Sequence, residues 1–313
     1  LEKILKKEIS VIVPVFNAED TLDSLFSSLN ENLKKITNNY EIIFVDDESK
    51  DLSWNVIKEI SKHNDFVKGL KLARNCGVDI AINAGLEISK GDFNVIISCD
   101  LQDPAEEIQS LYKKITEEDF DVVCAFYKNK HPESIIEKIF SGLYWKIFSF
   151  FTSADYPKEE GLYRIISSRA KKFFLENQNK IKHIKVMHSS GFKKSYLEML
   201  QNKRTIGKSG YNLRKKLIFA VDYLSTYSFK PLLYSALLGL FISLFSFILA
   251  ALFFSLKIIG MINAPGWTSI VVIISFFFSI LFLNLSIISI YLSKNIEESR
   301  KAATYFIVEK INE

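Results

Sequence analysis

A chain of 313 residues with 48% apolar and 13% aromatic side chains reads as a mixed protein, part soluble and part oily, and its 40 basic against 36 acidic residues leave a net charge of only +4. That balance excludes nucleic acid as a partner. Cys76, Cys99 and Cys124 are scattered, odd in number and without a C-x-x-C pair, which excludes a disulfide framework and a structural zinc site and fits reduced cytosolic thiols.

Leu1 to Ser10 is charged and too short for the apolar region of a secretory signal. Two periodicities then alternate. Short β-branched runs at Ile9 to Val15, Ile42 to Val45, Phe66 to Leu72, Phe93 to Ser98 and Val122 to Ala125 predict buried strands. Amphipathic stretches follow the first four, at Leu22 to Ile36, Leu52 to Ser61, Val78 to Ile88 and Ala105 to Ile115, and predict helices. Repeated βα units predict an α/β fold with a mostly parallel sheet covered on both faces. Such sheets bind ligands in the crevice beyond the carboxyl ends of their strands.

What stands at those ends is Pro14 to Asn17, Asp46 to Ser49, Arg74 and Asn75, and Asp100 to Asp103. Adjacent carboxylates after an apolar strand suit a nucleotide and a divalent cation better than packing, because burying unpaired charge costs several kcal/mol. Ser49 or Asp51 is explained as a cap of the next helix. Asp103-Pro104-Ala105-Glu106 has the pattern of a capping box, so Asp103 is expected to cap the following helix. Asp100 and Gln102 have no such local role. They are hard oxygen ligands of the kind that holds Mg2+ or Mn2+ jointly with a substrate phosphate.

After Lys230 the chain changes character. Pro231 to Leu256 and Ile258 to Ser293 contain no charged side chain, each exceeds the about 20 residues a spanning helix needs, and Gly260, Pro265 and Gly266 break the run between them. A two-helix transmembrane hairpin is expected, with spans at about 231–256 and 268–292. Lys230 before the hairpin and Lys294, Arg300 and Lys301 after it outnumber Lys257 in the turn, which predicts that both flanks are cytoplasmic. Just upstream, Arg204 and Lys208, then Arg214, Lys215 and Lys216, precede an amphipathic stretch, Leu217 to Phe229, suited to the interface plane. The expected organisation is a cytoplasmic domain over 1–210, an interfacial helix over 211–229, the hairpin over 230–294 and a cytoplasmic tail over 295–313, in the inner membrane.

Read in order, Ile9 to Glu19, Val45 to Asp51, Arg74-Asn75-Cys76-Gly77 with Ala84-Gly85-Leu86, and Cys99 to Glu106 resemble the successive motifs of family 2 glycosyltransferases with a GT-A, Rossmann-like fold. Lys203 to Asn212 and Gly266-Trp267-Thr268-Ser269 are similar to the juxtamembrane and hairpin regions of the polyprenyl-phosphate branch, which includes dolichol-phosphate mannose synthase and the bactoprenol glucosyltransferases. The resemblance implies that Pro14, Phe16 and Glu19 line a nucleotide pocket, that Asp46, beside Asp47, contacts the base or ribose, and that Arg74 lies near the nucleotide. It implies further that Asp100 with Gln102 holds a cation on the diphosphate. For Arg204 and Lys208 phosphate binding is expected, and Arg164 is a further candidate for gripping a phosphate. Related transferases assemble through their membrane parts, which makes a tetramer an expectation from resemblance alone.

Four departures stand out. Ser98 replaces the first aspartate of the family's D-x-D, Gly161-Leu162-Tyr163-Arg164 replaces Gly-Asp-Phe-Arg, Tyr127 stands where a basic residue is common, and Glu48 replaces a turn glycine. A carbohydrate acceptor needs a general base, worth about 10²- to 10⁴-fold in rate. A phosphate monoester, with a second pKa of about 6, is already an anion near neutral pH. The expected activity is therefore inverting transfer of a sugar from a UDP- or GDP-sugar to polyprenyl (undecaprenyl) phosphate at the cytoplasmic face. The alternatives are a catalytically silent membrane-anchored homologue acting as a binding or assembly subunit, and a transferase acting on a glycan.

Overall fold

The structure, a computed structural model, describes residues 9–128, 142, 160–177, 191–202, 230–259, 266–299 and 305–312, and these belong to two compact units. The first unit is built on one eight-stranded sheet. Its strands are β1 (Ile9–Val15), β2 (Tyr40–Asp46), β3 (Val67–Leu72), β4 (Phe93–Ile96), β5 (Val122–Tyr127), β6 (Glu160–Ser167), β7 (Lys194–Met199) and β8 (Ile307–Ile311), in the order β7-β5-β6-β4-β1-β2-β3-β8. β1 pairs in parallel with β2 and β4, β2 with β3, and β5 with β7; β6 runs antiparallel between β4 and β5, and β8 antiparallel along β3.

Helices α1 (Leu22–Lys34), α2 (Ser53–Lys62) and α4 (Ile108–Glu117, entered through a 3-10 turn at Ala105–Glu107) cover one face. On α1 the buried residues are Leu22, Leu25, Leu29 and Leu33, the i, i+3, i+4 spacing of a single apolar stripe. Helices α3 (Val78–Ile88) and α5 (Ser168–Glu176) cover the other face. There the approach is close: a Cβ on Gly85 of α3 would lie 2.6 Å from Ile12 Cγ2, so only glycine lets this helix settle onto β1. β1 and β2 are buried along their whole length, which is why they carry unbroken β-branched runs rather than alternation.

The predicted α/β sheet is present, and β1 and α3 have the expected bounds. Strands β6, β7 and β8 and helix α5 were not predicted. β8 corrects the reading of 295–313 as a tail and nothing more, since Ile307–Ile311 is the edge strand of the sheet.

The second unit contains α6 (Lys230–Ile258) and α7 (Trp267–Ser299). Gly239 faces Asn284, and Tyr291 is hydrogen-bonded to the backbone of Leu232, so the two helices run antiparallel. Among the described residues no helix is long and apolar enough to cross a membrane. Two antiparallel helices stand where the hairpin was expected, and most of the residues that join them lie outside the described ones.

Candidate active site

The strand order turns back between β1 and β4: β2 and β3 lie on one side of β1, β4 and β6 on the other. This switch point opens a crevice at the carboxyl ends of the parallel strands, where two neighbouring loops leave in opposite directions. The β1–α1 and β2–α2 loops are fastened to each other along one rim. Asn17 N donates to Ser49 Oγ (2.9 Å), Lys50 N to Asn17 Oδ1 (2.8 Å), Ala18 N to Ser53 Oγ (2.9 Å), and Glu19 N to Asp51 Oδ2 (3.1 Å). Thr21 Oγ1 donates to the Cys99 carbonyl (2.7 Å), tying the same loop to the end of β4. Pro14 is buried within β1, while Phe16 is 46% exposed at its end. Glu19 Oε2 accepts from Leu52 N at 2.6 Å, so its carboxylate braces the start of α2.

The two aspartates after β2 have different jobs. Asp46 is fully buried; Oδ1 accepts from Ser49 N (3.2 Å), Oδ2 has no hydrogen-bond partner among the described residues, and burial raises its pKa above the usual carboxylate value. Asp47 accepts from Cys76 N (2.7 Å) through Oδ1 and from Gly77 N (2.8 Å) through Oδ2. It therefore sits at the N-terminus of α3, where the helix dipole favours an anion, and holds the loop that carries exposed Arg74. Burial also raises the Asp47 pKa, against the lowering by those two amides.

At the end of β4, Asp100 and Gln102 are half-buried on one tight turn. Asp100 Oδ1 accepts from Ser98 Oγ (2.8 Å) and Gln102 N (3.2 Å), and Leu101 between them has φ 60°. Asp103 behaves differently from expectation. The helix that follows has Pro104 at its N-cap and no side-chain cap, and Asp103 turns back to accept from Ser98 N (3.1 Å), Ser98 Oγ (2.6 Å) and the Tyr127 hydroxyl. Three donors from outside its own helix outcompete the local capping geometry, and the buried carboxyl's pKa is raised. The single Ser98 hydroxyl proton is shared between Asp103 Oδ2 and Asp100 Oδ1, so Ser98 links an interior carboxylate to the half-buried one on the turn.

Do these residues fit a divalent cation? Among the described residues no group of three or more His, Cys, Asp or Glu is arranged to hold one. The Asp100 carboxylate, the Gln102 amide and the Ser98 hydroxyl are nonetheless hard oxygen donors on one turn, and Mg2+ in particular binds through one or two carboxylates and completes its shell with water and substrate phosphate. The donor set fits a cation brought in together with a diphosphate.

Tyr127 and Gly161 were flagged in the sequence only as parts of departures, and their geometry explains both. The Tyr127 ring lies over Gly161, where a Cβ would be 2.2 Å from Cε2, and this contact aims its hydroxyl at Asp103. Replacing Gly161 with Ala is expected to displace the ring and destabilise the protein by about 1–3 kcal/mol. Urea unfolding of the purified protein checks it, and an unchanged midpoint refutes the packing account.

Arg164 requires a correction. It is fully buried on β6, where Nη2 pairs with Glu160 Oε1 (3.1 Å) and donates to the Gly161 carbonyl (2.9 Å), and Nε donates to the Leu162 carbonyl (3.0 Å). A guanidinium engaged in the interior is an internal brace and does not reach a phosphate in the crevice. Beside it, burial pushes the Cys124 thiol up to about 12, which keeps it an unreactive apolar filler. Leu162 packs on the α5 face of the core. Arg204 and Lys208 lie outside the described residues. One residue near them was missed: Asn202 N donates to the Gln102 carbonyl (2.9 Å), so the chain that continues into Lys203 and Arg204 is fastened to the acidic turn.

Carboxylates at two strand ends beside the switch point of a mixed sheet stand where α/β enzymes of the nucleotide-binding type place their ligands. Residues 10–198 match the glycosyl transferase family 2 model, and the chain belongs to that family. It is a glycosyltransferase. It is 30% identical to the "Uncharacterized glycosyltransferase YkcC" of Bacillus subtilis (strain 168), over 95% of this chain and 92% of the relative. It is 26% identical to the undecaprenyl-phosphate 4-deoxy-4-formamido-L-arabinose transferase of Serratia proteamaculans (strain 568), over 98% and 95%. To the bactoprenol glucosyl transferase of Shigella phage SfV it is 24% identical, over 96% and 98%. The resemblance to the polyprenyl-phosphate branch, read from the motifs, is met by relatives that extend through both helices of the second unit.

Proposed function

We propose that this glycosyltransferase is anchored by α6 and α7 in the cytoplasmic membrane and transfers a sugar, with inversion, from a UDP- or GDP-sugar to polyprenyl phosphate on the cytoplasmic face. The observation that carries the reading is the turn after β4, where Asp100, Gln102 and Ser98 bring hard oxygen donors together and Asn202 N donates to the Gln102 carbonyl.

In the reaction, an anionic oxygen of the lipid phosphate attacks the anomeric carbon, the bond from that carbon to the donor diphosphate breaks, and the nucleoside diphosphate leaves with the bonding electrons. Asp100, Gln102 and Ser98 would hold a divalent cation there, which supplies charge compensation for the leaving group. Asp46 and Phe16 bound the nucleotide pocket, and Asp47 keeps the Arg74 loop in place. Arg204 and Lys208 orient the acceptor phosphate in line. Leu162 in place of a carboxylate is tolerable because the nucleophile needs no deprotonation.

Three features support the membrane part. Helices of 29 and 33 residues run to about 43 and 50 Å at about 1.5 Å per residue, so length alone covers the roughly 30 Å hydrocarbon layer, while the apolar run a span needs is read from the sequence and not from the described residues. Large apolar side chains on them are exposed, among them Leu240 at 70%, Phe241 at 66% and Phe282 at 62%, a surface that water alone does not accommodate. Finally, β8 follows α7 and joins the same sheet as the strands before α6, so the helix pair is an excursion from the sheet domain in chain order, as a two-span anchor requires.

Purified protein in vesicles containing undecaprenyl phosphate, offered labelled UDP- and GDP-sugars with Mn2+, is expected to yield a labelled lipid that mild acid cleaves. No labelled lipid from any donor points instead to the silent homologue that Ser98 and Leu162 raise.

A further inference from the structure

Glu48 stands in a left-handed conformation, φ 60°, which residues other than glycine rarely adopt. A surface glutamate with no task is an unlikely tenant of such a position, and its carboxylate has one. Oε2 accepts from Asn75 N (3.1 Å), while Oε1 is paired with Lys50 Nζ (2.5 Å). The next two amides of the same loop, Cys76 N and Gly77 N, go to Asp47. Three consecutive backbone N–H groups are thus held by two consecutive carboxylates from the end of β2. On the far side, Ala73 N donates to the Phe306 carbonyl (2.9 Å), so the loop is held at its base as well. Between these anchors Arg74 projects, exposed. Lys50 and the Asn75 amide hold the Glu48 carboxyl below the usual range, so it is an anion and an acceptor at neutral pH.

From this geometry we infer that Glu48 is a positioning residue for the sugar donor: its carboxylate, with that of Asp47, locks the 73–77 loop so that Arg74 is presented to the donor's nucleotide in a fixed place. The inference rests on the nucleotide-sugar reading above. The loop meets the ligand already formed, which lowers the ordering cost of binding. A glycine at this position would relax the turn but give Asn75 N no partner from this side; Glu48 accepts a strained backbone in exchange for a third fixed amide.

Two variants separate this role from mere folding. Glu48→Gly relieves the left-handed strain and so leaves the fold intact, but removes the acceptor; Glu48→Gln keeps an acceptor oxygen without the charge. In the full-length protein, amide hydrogen exchange over 73–77 is expected to quicken about tenfold in Glu48→Gly. The Kd for UDP or GDP, measured with Mn2+ by calorimetry, is expected to rise about five- to tenfold in that variant. Glu48→Gln is expected to stay within about twofold of the unmodified protein in both. Unchanged exchange at 73–77 in Glu48→Gly overturns the inference whatever the nucleotide does, and so does faster exchange with an unaltered Kd, since the loop then does not serve the donor. If the unmodified protein binds neither UDP nor GDP, the donor reading itself fails, and the exchange data still report separately on whether Glu48 holds the loop.

Discussion

Replacing Asp100 with Asn is expected to abolish measurable sugar transfer, a fall of at least about 10²- to 10³-fold, the usual result of removing one preorganised charge-stabilising group. Asn is the same shape. Its amide oxygen still accepts from Ser98 Oγ and Gln102 N, the two hydrogen bonds that shape the turn in the native protein. What disappears is the negative charge facing the crevice, and because Ser98 replaces the first carboxylate of the D-x-D pattern there is no second carboxylate in that motif to carry the load. Asp103 is close in sequence but is buried and committed to Ser98 and Tyr127, so it does not substitute. The lipid-labelling assay measures the activity, and unchanged membrane extraction and melting of the variant show that the protein is still folded. Full activity in Asp100→Asn would refute the assignment of the cation site.

Which parts of this arrangement were legible in the sequence follows from where each residue's partners lie. β1 and α3 were readable to their ends because their signals are local: an unbroken buried run in one, a small-residue helix face in the other. β6 was hidden by Glu160 and Arg164. Two charges in eight residues hide a strand pattern and leave Arg164 looking like a phosphate ligand, and only the fold reveals that the two neutralise each other in the interior. Asp103 shows the converse failure, where a complete local pattern, the capping box, lost to donors from Ser98 and Tyr127, the latter on a different strand. The acidic pairs stand at or just after the ends of β2 and β4, as their sequence context implies, but their division of labour was not visible. That Asp46 stays buried with one oxygen unsatisfied among the described residues while Asp47 holds a neighbouring loop depends on the Cys76 and Gly77 amides, about 30 residues further along the chain.

The C-terminal strand carries the other large effect: ending the chain before Tyr305 is expected to destabilise the sheet domain by roughly 3–6 kcal/mol, a large part of the 5–15 kcal/mol of a typical domain. β8 covers β3 along Gly69–Leu72, and the side chains it brings are not decorative. Ile311 packs with Ile57 and Trp54 over Gly69, where the absence of a Cβ leaves room for all three; Ile307 and Tyr305 pack on the cluster of Ile43, Val45, Leu70 and Leu72. Fully burying one such apolar side chain is worth about 1.5–3 kcal/mol, and each ladder hydrogen bond adds about 1 kcal/mol net. Trp54 reports on the event directly, since its indole Nε1 donates to Glu309 Oε2 (2.9 Å) and its ring is only 5% exposed. Truncation is expected to shift Trp54 emission to the red and lower the urea midpoint, in a background where Trp145 and Trp267 are replaced by Phe. It also frees the β3 edge for pairing between molecules, so aggregation should rise in parallel. A synthetic peptide of residues 305–313 added back is expected to restore the blue emission. An unshifted spectrum and midpoint after truncation would mean that the strand covers the edge without stabilising it. Because Ala73 N donates to the Phe306 carbonyl, the same truncation should loosen the base of the Arg74 loop, and the chain segment that leaves α7 would then be part of what keeps the donor pocket in shape.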